Sequence, residues 1–445
     1  MLSGLSALAQ EPPTPPPSPE PPAAQPAESR STGLPRGLAW RFNLDASWGS
    51  FGFANSLYAN PKPEEPSGNL GDYWFEGAVK PAIAGTFTSS KSWQVSGKIS
   101  AVGERTYGAA PTLVGEDASS FKVEDLSLDW KSGTALGGGE NSLELTVGRA
   151  PYHLGHGLLL WDGAAEGGNR GGYWTNARKA FEFAAIGRFK PGHHTLEAFY
   201  LDKDDLPEAN SGTRLWGTNY EYAIGENTTL GATYMKVYAY KDVKPQRDGL
   251  NVYNVRLFTA PESLKGVSFE AEYAKEDNGT ALDSYAWNAL VGYELKAAWK
   301  PKLSYRYAYF EGDDPATARN EAFDGLLTGF YDWGSWWQGE IAGEYFVSNS
   351  NLISHQVRLH VAPSDSIGTG LIFYKFLADK PGAVGPQVTS DDVAVEGDWY
   401  MDWKLNRNFT FSFIAAFASP GRLVEQVYDR TKNFSYGMVY LGYSY

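Results

Sequence analysis

The chain has 445 residues, no cysteine, 15 Trp, 27 Tyr and 23 Phe against four Met, and a formal net charge of -14. That acidic balance argues against a nucleic-acid partner, because binding phosphate needs a basic field, and no run approaches the ~20 apolar residues that a spanning helix requires. An aromatic share of 15% fits a polypeptide that meets two membrane interfaces, and a barrel with only alternate residues facing lipid keeps the mean hydropathy of -0.38 of an ordinary soluble chain.

At the N-terminus, residues 1–9 are short and apolar and end Ala7, Leu8, Ala9. This small-x-small pattern reads as the remnant of a signal peptide and implies export to the periplasm. Residues 10–37 follow as a proline-rich periplasmic segment, with nine prolines in the sixteen residues 11–26. It holds too little apolar surface to offset the entropy of ordering, so a disordered, polyproline-like tether is expected.

From 38 to 445 the pattern becomes short runs of period-two alternation, broken by Gly, Pro, Asn and Asp clusters. Trp40, Phe42, Leu44 and Trp48 alternate with Arg41, Asn43, Asp45 and Ser47. Downstream, Tyr285, Trp287, Ala289 and Val291 stand opposite Ser284 and Asn288, and Leu303, Tyr305, Tyr307 and Tyr309 opposite Lys302, Ser304 and Arg306. Trp399, Met401 and Trp403 oppose Asp398, Asp402 and Lys404. The last run, residues 435–445, puts Val439, Leu441, Tyr443 and Tyr445 on one face. About nineteen such runs are present, and both termini should be periplasmic, which requires an even strand number. The expectation is an all-β fold: a transmembrane antiparallel β-barrel of about 18 strands, integral to a bacterial outer membrane and monomeric.

A charge on the lipid face at mid-membrane costs about 2 to 4 kcal/mol for Arg or Lys, so the charged alternates should face the lumen. Inward basic residues are then Arg41, Lys80, Lys98, Arg188, Arg256, Lys302, Arg306, Arg358 and Lys404. Inward acids are Asp45, Glu76, Asp125, Asp129, Glu182, Glu270, Glu272, Glu340, Glu344, Asp398 and Asp402. These charges either pair across strands and keep the lumen wet or, in their basic members, form a constriction that selects anions. Arg binds carboxylate bidentately, which suits a uronic-acid polymer.

Two loops contain apolar residues, and the first of them is too apolar to be freely solvated. Residues 311–334 carry Phe323, Asp324, Leu326, Leu327, Phe330 and Tyr331, and are expected to fold over or into the pore as a gate. Counting strands back from the C-terminus puts this loop in the periplasm, whereas the short turn before it puts it outside. Residues 155–176, rich in Gly with Trp161, Tyr173 and Trp174, are a second gate or a plain external loop. His153 and His156 form an HxxH pair without a helical pattern around it, which speaks against a metal site. No GxSxG element, phosphate-cradling loop or cysteine nucleophile is present, so neither enzymatic activity nor a cofactor is expected.

The run from Phe323 to Leu352, FDGLLTGFYDWGSWWQGEIAGEYFVSNSNL, resembles the hallmark of the bacterial alginate-export outer-membrane porin family, and HQVRLHVAP, LIFYKF and DWKLNRNFT continue the likeness. GRAPYHLGHGLLL from Gly148 and NARKAFEF from Asn176 are similar to the family's Gly-Arg strand and its later Arg-aromatic element. The resemblance implies an 18-stranded barrel that exports an acidic exopolysaccharide through an arginine-rich constriction closed by loops. It also implies a periplasmic scaffold lipoprotein and an inner-membrane synthase as partners. It transfers most directly to Arg358, and adds Arg149, whose parity with Leu145 and Val147 calls for a bulge or a rim position, and Arg178. A general or small-anion uptake porin stays open as an alternative, as does, more distantly, a surface enzyme or adhesin.

Overall fold

The computed structural model describes residues 37–59, 71–89, 93–108, 118–136, 139–336, 338–428 and 431–445. The signal-like start and the proline-rich segment up to residue 36 lie outside the described residues. Eighteen strands follow in chain order. The first nine are β1 Gly37–Ala54, β2 Gly71–Thr88, β3 Gln94–Gly108, β4 Ser119–Lys131, β5 Leu143–Arg149, β6 Phe183–Phe189, β7 His194–Asp202, β8 Arg214–Ala223 and β9 Thr228–Tyr238. The rest are β10 Leu250–Thr259, β11 Val267–Asp277, β12 Asp283–Glu294, β13 Lys302–Phe310, β14 Leu352–Ser364, β15 Ile367–Leu377, β16 Asp392–Lys404, β17 Phe409–Pro420 and β18 Phe434–Ser444.

Each strand pairs antiparallel with its sequence neighbours, and β1 closes on β18 from Asp45↔Ser444 to Ala54↔Ser435. Closure removes the edges that lipid cannot hydrate. Two more hydrogen bonds between Leu44 and Tyr445, 3.0 and 3.1 Å, tie the last residue into the seam.

The expected parity holds around the wall. Trp40, Phe42, Ile83, Leu128, Tyr305 and Phe373 are exposed on the outer face, whereas Glu76, Arg256, Arg306, Gln356 and Asp398 are buried inside. The extra run counted from sequence has a physical origin in the long connection between β13 and β14. Glu340 and Glu344, expected on a strand, lie instead in and beside a π-helical turn, Gly339–Gly343, folded inside the lumen. Its first residue has φ +93° and a Cβ there would stand 2.7 Å from a Glu396 carboxylate oxygen, so the alternating letters around it cannot extend into a strand.

Because β1 and β18 put both termini at one end, every connection after an odd strand lies at the other. The turns at the terminal end are mostly short, such as Asp365 and Ser366 between β14 and β15. Short turns mark the periplasmic end and long loops the external end of such barrels. Residues 311–351 and 150–182 therefore both enter from the external side, which settles the conflict between the two counts for the 311–334 loop.

Candidate functional site

Both long loops fold into the barrel and meet. Leu160 and Leu327 form a parallel bridge, with Trp161 N donating to Leu327 O at 2.9 Å, Leu327 N to Leu159 O at 3.0 Å and Gly329 N to Gly157 O at 3.0 Å. Leu158, Leu159, Leu160, Phe323, Leu327 and Phe330 are buried against inward residues of the wall. The apolar content read from sequence thus has its reason: these loops are a joint plug, whose apolar side chains are removed from water inside the lumen.

The plug is attached to the wall largely through charged groups. Arg306 on β13 donates to the carbonyl oxygens of Gly334 and Ser335, the latter at 2.5 Å, and its guanidinium lies 4.7 Å from the Trp336 ring. Arg358 on β14 donates to Asp332 at 2.5 and 3.3 Å and to the Tyr400 hydroxyl at 2.7 and 2.9 Å. Residues 331–335 thus form a hook held by two arginines from adjacent strands. Gly334 sits where a Cβ would meet Tyr374, Gln356 and Ile372 at 2.6 to 2.8 Å, at φ +71°, so the hook requires glycine. Farther along, Glu396 on β16 accepts the N–H groups of Ile341 and Ala342 at 2.8 and 2.7 Å, and Trp333 Nε1 donates to Asp402 at 2.7 Å.

A second charged cluster holds the 150–182 loop. Arg149, Arg170 and Arg178 converge on Asp204, in the connection after β7, at 2.6, 2.7 and 2.7 Å. Burial pushes the Asp204 carboxyl up, but the Arg170 and Arg178 guanidiniums outweigh it and hold it at about 2. Arg149 meets the rim condition set by its parity: it is the last residue of β5, after Gly148 at φ +121°, and its Nε donates to Glu124 O at 3.2 Å. An irregularity in the β3–β4 register turns both Glu124 and Asp125 inward, and Glu124 accepts the N–H groups of Lys179 and Ala180 at 2.6 and 2.7 Å.

The remaining candidates are spread along the wall. Arg256 is buried beneath Gly155, bound to Asn219, Thr233, Asn254 and Glu221. Arg188 pairs with Glu197 at 2.5 Å and Glu144 at 3.5 Å, and Lys98 with Asp125 at 3.0 Å. Arg41 and Lys404 are exposed, near the periplasmic end, and form no ion pair among the described residues. Of the gating-loop residues, Asp324 receives both Arg247 Nε and Nη2, at 2.7 and 2.6 Å, and Tyr331 stacks on His156 at 4.0 Å. Sequence reasoning missed Arg170 and Arg247. Both lie in connections, where no alternation assigns a direction; Arg170 could have been signalled by its place in the apolar 155–176 loop, whereas Arg247, in the polar connection between β9 and β10, carries no such signal.

His153 and His156 stack on aromatic rings rather than facing each other: His153 on Trp161 at 4.1 Å, His156 on Phe258 at 3.8 Å. Among the described residues no group of three or more His, Cys, Asp or Glu is arranged to hold a metal ion.

Comparison with known proteins agrees with this geometry. No curated protein matches the sequence. Among solved structures, OccK8 (OprE) of Pseudomonas aeruginosa matches with a TM-score of 0.58 at 12% identity, over 91% of this chain and 98% of that one. OccAB2 of Acinetobacter baumannii gives 0.58 at 13%, and the outer membrane protein OpdK of P. aeruginosa 0.57 at 12%, each over the same shares. At such identity the likeness is one of fold. The family described as alginate export matches residues 116–438, which span β4 to β18 and both plug loops. The chain therefore belongs to the alginate-export family, as an integral β-barrel of the outer membrane.

Proposed function

We propose that this barrel exports an anionic, alginate-like exopolysaccharide, that the joint plug is its gate, and that arginines around the plug read the polymer's carboxylates. The observation that carries this reading is the way the plug is fastened. Arg149, Arg170, Arg178, Arg247 and Arg358 hold carboxylates of the protein itself inside the lumen, and guanidinium groups that hold Asp can hold a uronate. The family membership supports the polymer class. On this reading a periplasmic scaffold lipoprotein and an inner-membrane synthase deliver the chain, and one barrel acts as a monomer.

Planar-bilayer recording tests the gate. The intact protein should be quiet and a variant lacking residues 311–334 should conduct. In that open background Arg358→Glu, alone or with Arg306→Glu, should shift the reversal potential away from anions. A large constitutive current through the intact protein would favour a small-anion uptake porin instead. The substrate is tested by secretion of uronic-acid polymer from a bacterium that makes one and lacks its own exporter; restoration by this chain is expected.

A further inference from the structure

Resting on the export reading, we infer that the periplasmic underside of the plug carries a landing site for one uronate residue of the polymer. It is built from the exposed part of the Tyr331 ring and the Arg358 guanidinium, with Asp332 occupying the carboxylate position while the channel is closed.

The geometry begins at the wall. Phe258 is the penultimate residue of β10, a strand that runs toward the periplasmic end, and its parity is inward with that of the buried Asn254 and Arg256. His156 stacks on Phe258 with centroids 3.8 Å apart and planes 16° apart, and Tyr331 stacks on His156 at 4.0 Å and 11°. The His156 ring is fixed by Glu270 at 3.1 Å, on the neighbouring strand β11. Three parallel rings thus run inward from the wall; among the described residues no fourth ring is stacked parallel on the last, and Trp161 stands perpendicular to it with centroids 5.7 Å apart. Tyr331 is 47% exposed, whereas Phe330 and Trp333 on either side of its segment are 5% and 4% exposed. A large aromatic ring is held flat and presented to water inside a pore, at a cost in unburied apolar surface that the fold avoids at its neighbours.

The negative face of such a ring attracts the C–H groups of a sugar. What makes the sugar acidic is the next residue. Asp332 is bound by Arg358 at 2.5 and 3.3 Å, yet its side chain is 51% exposed and that of Arg358 17%. The pair is therefore reachable from the aqueous side, and one carboxylate can replace another on the guanidinium without breaking the contacts of Arg358 with Tyr400. Two acids at this end are already engaged, Glu270 with His156 and Asp402 with Ser412 and Trp333, and a third, the exposed Glu294 at the end of β12, stands opposite Lys302 in the β12–β13 register. Lys404, exposed with inward parity on β16, forms no ion pair among the described residues and adds positive charge to the approach, whereas the charge of Lys302 on β13 is offset by Glu294 opposite it. The surface lies beside wall residues near the periplasmic ends of their strands, Phe258 on β10 and Asp402 on β16, on the side from which a polymer would enter. Exchange of Asp332 for the sugar's carboxylate removes one of the two arginine holds on the hook.

The test uses the full-length purified barrel in detergent, titrated with an oligouronate hexamer and with a neutral hexasaccharide, followed by calorimetry. Tyr331→Leu should weaken hexauronate binding at least five-fold, and Tyr331→Phe should keep it. Asp332→Asn, which removes the negative charge that competes for Arg358, should tighten binding about three-fold or more, a gain that damage to the fold would not give. The neutral hexamer should bind at least ten-fold more weakly. Equal affinity of Tyr331→Leu and the wild type, weaker binding by Asp332→Asn, or equal binding of the neutral sugar would overturn the site. If those results came from a chain that still restores uronic-acid secretion, the landing site alone would fall. Absence of secretion by the wild-type chain would remove the export reading beneath it.

Discussion

Replacing Arg306 by Met removes one of the two arginines that hold the hook while keeping the length and apolar stem of the side chain. Arg306 is 5% exposed and no carboxylate lies within ion-pair distance of it among the described residues, so its charge is satisfied by the Gly334 and Ser335 carbonyls and the Trp336 ring. Hydrogen bonds to charged groups contribute about 1.5 to 3 kcal/mol each and a cation–π contact about 1 kcal/mol. Desolvating the guanidinium offsets several kcal/mol of that. In the variant, Gly334 O keeps Gln356 Nε2 as a donor, but Ser335 O loses Arg306. The net effect is about 2 kcal/mol against the docked hook, chiefly from the stranded carbonyl, which is a change of about 30-fold in its open population. Single-channel recording should show openings roughly that much more frequent, with the barrel's resistance to SDS at room temperature unaltered. Arg306→Lys should fall between, since one ammonium cannot reach two carbonyls as a planar fork does. If Arg306→Met stayed as quiet as the wild type while the 311–334 deletion conducted, Arg306 would not be a tether.

Two further outcomes follow from the other clusters. Asp204, held at about 2 against an ordinary value near 3.9, contributes its stabilisation above that ordinary value and loses it as pH falls from about 4 through about 2. Limited proteolysis of the 150–182 loop should be slow at pH 5 and accelerate below pH 4, whereas Asp204→Asn should be cut readily at both; identical digestion of the two proteins at pH 5 would contradict the assignment. Asp324→Ala leaves Arg247 buried without its bidentate partner, which costs about 3 to 5 kcal/mol. It should raise basal current without lowering the yield of SDS-resistant barrel, and an unchanged current would show that this pair does not hold the gate.

The wall was legible because one rule, opposite solvents for even and odd side chains, repeats through every strand; Trp40, Arg41 and Phe42 suffice to orient the first. The lumen was legible only where it is made of strand. Arg306, Arg358 and Arg256 were assigned inward by parity, and each is inward. Their partners were not readable, because Gly334, Ser335 and Asp332 lie in a connection whose path is set by contacts 20 or more residues away in sequence. Arg149 shows the limit from the other side: by alternation alone it faces lipid, and only the rim geometry after Gly148 carries it to Asp204. For the same reason Glu124 and Asp125, adjacent in sequence, could not both be placed inside until the β3–β4 register was known.

The two parts of the molecule are held by different physics, and the difference bears on the gate. The wall is a closed ladder of backbone hydrogen bonds in hydrocarbon, where no competitor for those groups exists and opening any pair strands donors and acceptors. The plug has hydrogen bonds between its own loops and apolar contacts with the wall, but its polar fastenings to the wall are guanidinium to carboxylate, guanidinium to carbonyl and carboxylate to N–H, in a lumen that water can enter. Such pairs add little net stability over a well-packed apolar contact, yet fix one geometry, and losing one partner is costly unless another anion takes its place. A polyanion supplies that replacement and a neutral chain does not. On the export reading the same arginines can therefore keep the pore shut against most solutes and yield to the one whose carboxylates match their own.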